Sequence, residues 1–539
     1  VKLTVTAGAS RRAIRVASFA VTIALVATSM RPAFAIDRTW GAAVPKPSAT
    51  GEPWTDAAVA SLDANIDITV AGSSALHGAH VGILAIDARD GRVLYQRNAD
   101  DLFEPASTLK LLVGSVALEK LGPDYRFHTD AVITTPIVGG VVAGQLIVRA
   151  GGDPFLNADD FDKLATTLVA QGMTSIRGGV VHAGAVSGVG DGIAFDVSRY
   201  EQTPFPPGWL LEDLPYGYSA RVGALAFEHN SVHVTVAPGP VVDGPAVVTT
   251  APIRFVGQPI EGCNFSPTPM IINLAKTGPS GAVDSIDLAP DGTGCATIKG
   301  TIPFGSAADT LESAVPSSTV YAEQMLRAEL TKQSITAMRL DSLGVPDQHI
   351  AVAPPGSTVM WMHDSEPMSD VVGDMWMPSD NLAAEMLLRE LSFANATVPG
   401  TTADGIAVET AWLKNLGVDT SSLALSDGSG LSSYDRITPR ALVTILQHDW
   451  NGPLHDVVLD DLPIAGVRGT IATSYLGTAL EKRVFAKTGT TSRASALAGY
   501  AATEKHGTVI FAFMVDESVV DPAVLRDLRA RILTHFIED

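Results

Sequence analysis

Three short motifs stand far apart in this chain: Ser107-Thr108-Leu109-Lys110, Ser379-Asp380-Asn381 and Lys487-Thr488-Gly489. A lysine three positions after a serine sits one helical turn away on the same face. If the motifs converge on one site, the 272 positions between Ser107 and Ser379 must leave that site's domain and return to it. A discontinuous domain with a large insertion is the fold such spacing requires, and 539 residues also exceed what one continuous core usually holds.

The local sequence places each motif on an element. Asp56 to Ile66 is rich in Ala, Val and Leu and predicts a helix. His80 to Asp87 and Arg92 to Arg97 are strand-like runs joined by Ala88-Arg89-Asp90-Gly91, a hairpin turn. After Pro105, the spacing of Leu109, Leu112, Val113, Val116 and Ala117 predicts a helix over 107–121. Ser379-Asp380-Asn381 precedes Leu382 to Leu388, a strong helix former, and therefore marks a helix start. Lys487-Thr488-Gly489 lies on a strand, followed by the strand-length runs Ala496–Ala502 and Thr508–Val515. The final stripe, Leu525, Leu528, Ile532 and Phe536, fits a helix packed on that sheet better than one lying on a membrane surface. Between Phe127 and about residue 357 the texture turns to Val, Gly and Thr with frequent turn signals, which predicts a β-rich insertion, in one or two subdomains. The division expected is 36–126 with 358–539 as the discontinuous domain and 127–357 as the inserted accessory region.

Residues 1–35 hold five basic and no acidic residues, an apolar run from Val16 to Met30, and Ala33-Phe34-Ala35, the layout of a cleavable export signal. Taking those five basic residues from 37 leaves 32 against 58 acidic ones, a formal charge of −26, which disfavours nucleic acid as a partner. In an exported chain the two cysteines, Cys263 and Cys295, are expected to pair as a disulfide. No zinc-type spacing of His or Cys exists, so neither a metal nor another cofactor is expected. A second Lys-Thr-Gly, Lys276-Thr277-Gly278, precedes the Ser379 motif and runs into Pro279, and is read as coincidence.

Taken with Gly151-Gly152-Asp153-Pro154, Pro207-Gly208-Trp209, Ser426-Asp427-Gly428-Ser429-Gly430-Leu431-Ser432 and Leu462 to Val467, the motifs resemble those of the penicillin-binding proteins and serine β-lactamases. Within that group the chain is similar to the class C low-molecular-mass D-Ala-D-Ala carboxypeptidase/endopeptidases. The resemblance implies an α+β fold, an antiparallel sheet flanked by helices, with accessory domains inserted after the Ser107 helix. It implies peptidoglycan stem peptides as substrate and β-lactam antibiotics as inhibitors.

A serine hydroxyl needs a base within hydrogen-bond reach, and Lys110 is the nearest candidate. A lysine acts as a base only when neutral, so burial and a second cation, Lys487, must depress its pKa, with Lys487 expected to keep the charge. By resemblance, Ser379 relays a proton to the leaving amine and Asn381 holds the substrate amide and Lys110. Lys487, Thr488, Gly489 and Thr490 form the substrate's carboxylate site, and the N–H groups of Ser107 and Thr490 form the oxyanion hole. Two other readings share the motifs. A serine β-lactamase would also need a Glu-x-x-x-Asn loop, but the candidate Glu409 is followed by Leu413. A non-catalytic wall-binding or antibiotic-sensing module would have no need of the complete set of side chains.

Overall fold

The computed structural model describes residues 44, 46–178, 180–183, 186–189, 191–252, 256–257, 271–290, 296–339, 350–395, 398–517 and 522–538. The expected export signal and both Cys263 and Cys295 lie outside the described residues.

Five antiparallel strands from the two ends of the chain form the principal sheet, in the order Val93–Arg97, His80–Asp87, Thr508–Asp516, Ser495–Ala502, Val484–Thr490. Side chains on a strand alternate between faces. Along Thr508–Asp516, Ile510, Ala512 and Met514 enter one core, while Val509, Phe511, Phe513 and Val515 enter the other. Both faces are covered, which is why this strand is an unbroken apolar run and not an alternating one.

Helices Asp56–Ala71 and Pro522–Glu538 cover one face, through Leu62, Ile66 and Val70 and through Leu525, Leu528, Ile532 and Phe536. The final stripe therefore packs on the sheet. The other face carries helices Lys110–Lys120, Met368–Trp376, Asn381–Ala394 and Pro439–Asn451. This is the α+β architecture expected.

The strands between residues 128 and 314 join other sheets. His128–Ile133, Leu146–Arg149 and Ile193–Asp196 form a four-stranded sheet with Thr358–Asp364, which pairs antiparallel with His128–Ile133. Ser231–Ala237 pairs with Val247–Ala251 and Asp309–Ala314. Helices Ala158–Ala170 and Ser318–Lys332 share this core through Phe161, Leu164, Tyr321 and Leu326.

Helix Asn381–Ala394 touches both cores: Leu382 and Met386 enter the accessory core, and Ala383, Ala384, Leu387, Leu388 and Leu391 enter the one beneath the sheet. Neighbouring helix Lys110–Lys120 is fixed by Trp376, whose Nε1 donates to the Lys110 carbonyl at 2.8 Å. Its indole lies so close to Gly114 that an added Cβ would sit 2.5 Å from Cζ2. Mid-helix Gly→Ala normally gains about 1 kcal/mol. Here Gly114→Ala should instead lose about 1–3 kcal/mol by overpacking against a buried ring. Urea denaturation should show a lower midpoint; one equal to or above wild type would contradict the packing.

Candidate active site

Ser107 lies in the 3-10 turn Ala106–Leu109, which runs directly into helix Lys110–Lys120. Ser107 is half-buried and Lys110 fully buried. The Lys110 amine donates to Ser107 Oγ at 2.9 Å, to Asn381 Oδ1 at 2.6 Å and to the Ser429 carbonyl at 2.8 Å. All three hydrogens of an ammonium, or the two hydrogens and the lone pair of a neutral amine, are thus accounted for.

Asn381 opens its helix, capped by Asp380, whose Oδ1 accepts from Ala383 N at 2.9 Å. Its Nδ2 donates to the Tyr218 carbonyl at 2.7 Å, which fixes its Oδ1 toward Lys110. Ser379 adopts a φ of +70°, a left-handed conformation uncommon for a residue with a Cβ. In that conformation its Oγ accepts from Lys487 Nζ at 2.8 Å.

Lys487, Thr488, Gly489 and Thr490 lie on the sheet's edge strand, Val484–Thr490. That strand passes the serine turn so closely that a Cβ on Gly489 would lie 2.6 Å from the Pro105 carbonyl and 3.0 Å from Ser107 N. Gly489 is therefore what lets the Lys487 strand approach Ser107. Thr488 Oγ1 donates to Thr470 Oγ1 at 2.8 Å, and Thr490 is exposed.

Burial lowers the pKa of Lys110 to about 8, against the opposing pull of Asp427, Glu385 and Asp380. Burial, followed by repulsion from Lys110, pushes Lys487 well below the usual lysine range. The environment thus differs from the expected division of charge. Carboxylates favour a proton on Lys110, whereas the charge acting on Lys487 is that of a like neighbour.

Several participants were not evident from sequence. The Ser429 carbonyl reaches Lys110 because the loop 426–432 is tied down by carboxylates. Glu385 Oε1 accepts from Gly428 N and Ser429 N at 3.0 and 2.8 Å. Asp427 accepts from Gly430 N, Ser432 N and Trp209 Nε1 at 2.7, 2.7 and 2.9 Å. The glycine-rich Asp427-Gly428-Ser429-Gly430 run was the available signal, but the contributing atom is a backbone oxygen. His229, which meets Asp380 Oδ2 at 2.7 Å, and Thr470 carried no signal beyond their residue type. Glu409 is buried in helix Thr402–Asn415, where burial and the charges of Glu385 and Asp427 push its pKa well up. Lys276-Thr277-Gly278 pairs with Thr301–Pro303 in a separate two-stranded sheet.

Two serine–lysine pairs, the first also bonded to an asparagine, set at a sheet edge beneath a helical layer, define a penicillin-binding/β-lactamase-like serine hydrolase site. Residues 62–536 match the model of the D-Ala-D-Ala carboxypeptidase 3 (S13) family. The chain is 32% identical over 439 residues to a D-alanyl-D-alanine carboxypeptidase of Actinomadura sp. (strain R39), covering 79% of this chain and 76% of that protein. It is 24% identical over 460 residues to D-alanyl-D-alanine carboxypeptidase DacB of Haemophilus influenzae, covering 83% and 88%. The crystal structure of penicillin binding protein 4 (dacB) from Haemophilus influenzae has the same fold, with a TM-score of 0.71 at 21% identity, covering 89% of this chain and 99% of that one. The chain belongs to the D-Ala-D-Ala carboxypeptidase 3 (S13) family of serine carboxypeptidases. No helix among the described residues is long and apolar enough to cross a membrane.

The carboxylate brace of the loop can be tested directly. Asp427→Ala would leave the buried N–H groups of Gly430 and Ser432 and the half-buried Trp209 Nε1 without their acceptor. A loss of about 3–5 kcal/mol of stability is expected. A denaturation midpoint within error of wild type would contradict the brace.

Proposed function

We propose that this chain is an exported D-Ala-D-Ala carboxypeptidase that cuts peptidoglycan stem peptides through an acyl-enzyme on Ser107 and is acylated at the same atom by β-lactams. The carrying observation is the 2.9 Å contact between Ser107 Oγ and a buried Lys110 amine whose pKa is lowered to about 8. A β-lactam complex of the Haemophilus influenzae protein, which matches this chain with a TM-score of 0.66 at 20% identity, supports the inhibitor reading.

Ser107 passes its proton to Lys110 as Oγ attacks the carbonyl carbon between the two D-alanines. The N–H groups of Ser107 and Thr490 receive the developing oxyanion, each donor worth roughly 3–4 kcal/mol in such sites. The C–N bond then breaks, and a proton reaches the leaving amine through Ser379, which Lys487 holds at 2.8 Å. Water takes the place of D-alanine and releases the shortened peptide by the reverse transfer. Thr488, Thr490 and Lys487 bind the substrate's terminal carboxylate. That anion supplies Lys487 with a counter-charge, which favours the charged form of Lys487.

We infer that residues 1–35 are the export signal and that Cys263 and Cys295 pair once outside the reducing cytoplasm. The catalytic domain is assigned to 36–126 and 358–539 and the accessory region to 127–357. The separate sheets support this division in outline, but the strand Thr358–Asp364, at the start of the second catalytic segment, pairs in the accessory sheet with His128–Ile133.

The neutral fraction of an amine rises with pH up to its pKa. D-alanine release from a stem pentapeptide should therefore climb about tenfold per pH unit below 8 and level off above it. Ser107→Ala should lower the rate by at least ~10³-fold. A flat profile between pH 6 and 9, or a Ser107→Ala enzyme with near-wild-type turnover, would refute this mechanism.

A further inference from the structure

The turn that brings His229 to the site is built in an unusual way. Glu228, His229 and Asn230 have φ values of +46°, +53° and +50°, three successive non-glycine residues in the left-handed region. Such residues are normally isolated, and each is a strained conformation for a side chain with a Cβ. The turn persists because its neighbours hold it. Asn230 donates to the carbonyls of Arg221 and Leu225 at 3.1 and 3.2 Å and accepts from Phe227 N at 3.1 Å. Glu228 Oε1 accepts from Ala158 N at 2.9 Å.

The conformation carries His229 Nδ1 to 2.7 Å from Asp380 Oδ2, with the edge of Phe155 against the ring at a centroid distance of 5.6 Å. Asp380 spends its other oxygen on the cap of helix Asn381–Ala394. Its two chain neighbours are Ser379, itself at φ +70°, and Asn381, the partners of Lys487 and Lys110. A strained turn on one segment thus clamps a strained turn on another, and the clamped one bears the two polar side chains between the lysines.

We propose that His229 is a positioning residue for the hydrolytic site: its ring, paired with Asp380, fixes Ser379 and Asn381 and offsets the Asp380 charge that acts on Lys110. The inserted segment thereby completes the site instead of serving only as an appendage. The proposal deepens the acyl-enzyme reading and rests on it.

The groups facing the imidazole are Asp380 at the helix start, Glu228 on its own turn and Glu312 on the strand Asp309–Ala314, with Lys110 acting on Asp380. Burial opposes the charged ring, but these carboxylates prevail and raise its pKa to about 8. A raised pKa means that the pair is fully formed below the ordinary histidine value and is lost as pH rises through about 8. With the ring neutral, Asp380 holds the Lys110 proton more tightly, so positioning and charge act in the same direction.

The test compares acylation rate constants for a fluorescent penicillin between pH 6 and 10 in wild type, His229→Gln and Asp380→Asn, with Ser107→Ala as control. His229→Gln should be slower by about tenfold near pH 7, the size of one charge-assisted hydrogen bond. The ratio of wild type to variant should fall toward one above pH 9. Asp380→Asn loses the same contact but also removes the charge acting on Lys110, so it should give a smaller loss that does not add to that of His229→Gln. If His229→Gln fails to fold, His229→Lys keeps a cation at the turn and should retain an advantage over Asp380→Asn to higher pH than wild type does. A pH-independent ratio, an unchanged rate, or fully additive losses would overturn the proposal. Acylation that persists in Ser107→Ala would instead sink the underlying acyl-enzyme reading.

Discussion

Helix Asn381–Ala394 is the element on which the rest of the molecule depends, because it is buried on nearly every side yet carries charge. Its apolar residues divide between two cores, so it cannot shift without opening one of them. Its charged residues have named partners, except that Glu385 Oε2 has none among the described residues and burial pushes the Glu385 pKa up to about 8. Arg389 donates to the carbonyls of Glu201 and Thr203, and Glu390 receives Tyr125, Tyr200 and Arg199. Glu385 holds the Gly428 and Ser429 N–H groups. Removing one partner from such a buried set leaves the other unpaired, which costs far more than the contact contributes. The result is a rigid post with Asn381 at its tip.

The site's electrostatics follow from that rigidity. Lys110 is neutralised in part by burial, but Asp427, Glu385 and Asp380 stop the shift near 8. An amine poised there is a competent base at neutral pH, whereas one buried without carboxylates would be too weak to take a serine proton. Lys487, whose charged neighbour is another lysine, lies in the environment more hostile to positive charge.

Much of this was legible in the chain because it is written in side chains at fixed intervals. Ser107 and Lys110 are one turn apart on a turn that continues into a helix, Ser379 to Asn381 start a helix, and Lys487 lies on an edge strand. The closing stripe of Leu525, Leu528, Ile532 and Phe536 packs where its period put it. What was not legible depends on backbone atoms or long-range placement. The carbonyls of Ser429 and Tyr218 complete the shells of Lys110 and Asn381, and any residue could supply them. His229 reaches Asp380 from 151 positions away through a left-handed turn that no residue type announces. The carboxylates that oppose burial at Lys110 were not legible for the same reason, since the nearness of Asp427 and Glu385 appears only in three dimensions.

If Ser107 Oγ is the acylated atom, Lys110, Asn381 and the Lys487 strand surround the bond it forms. A crystal structure after soaking with benzylpenicillin decides this. Continuous density is expected from Ser107 Oγ to the opened lactam carbonyl, with that oxygen between the N–H groups of Ser107 and Thr490 and the drug's carboxylate at Thr488 and Lys487. Density joined to any other nucleophile, or a drug seated away from the Lys487 strand, would contradict it.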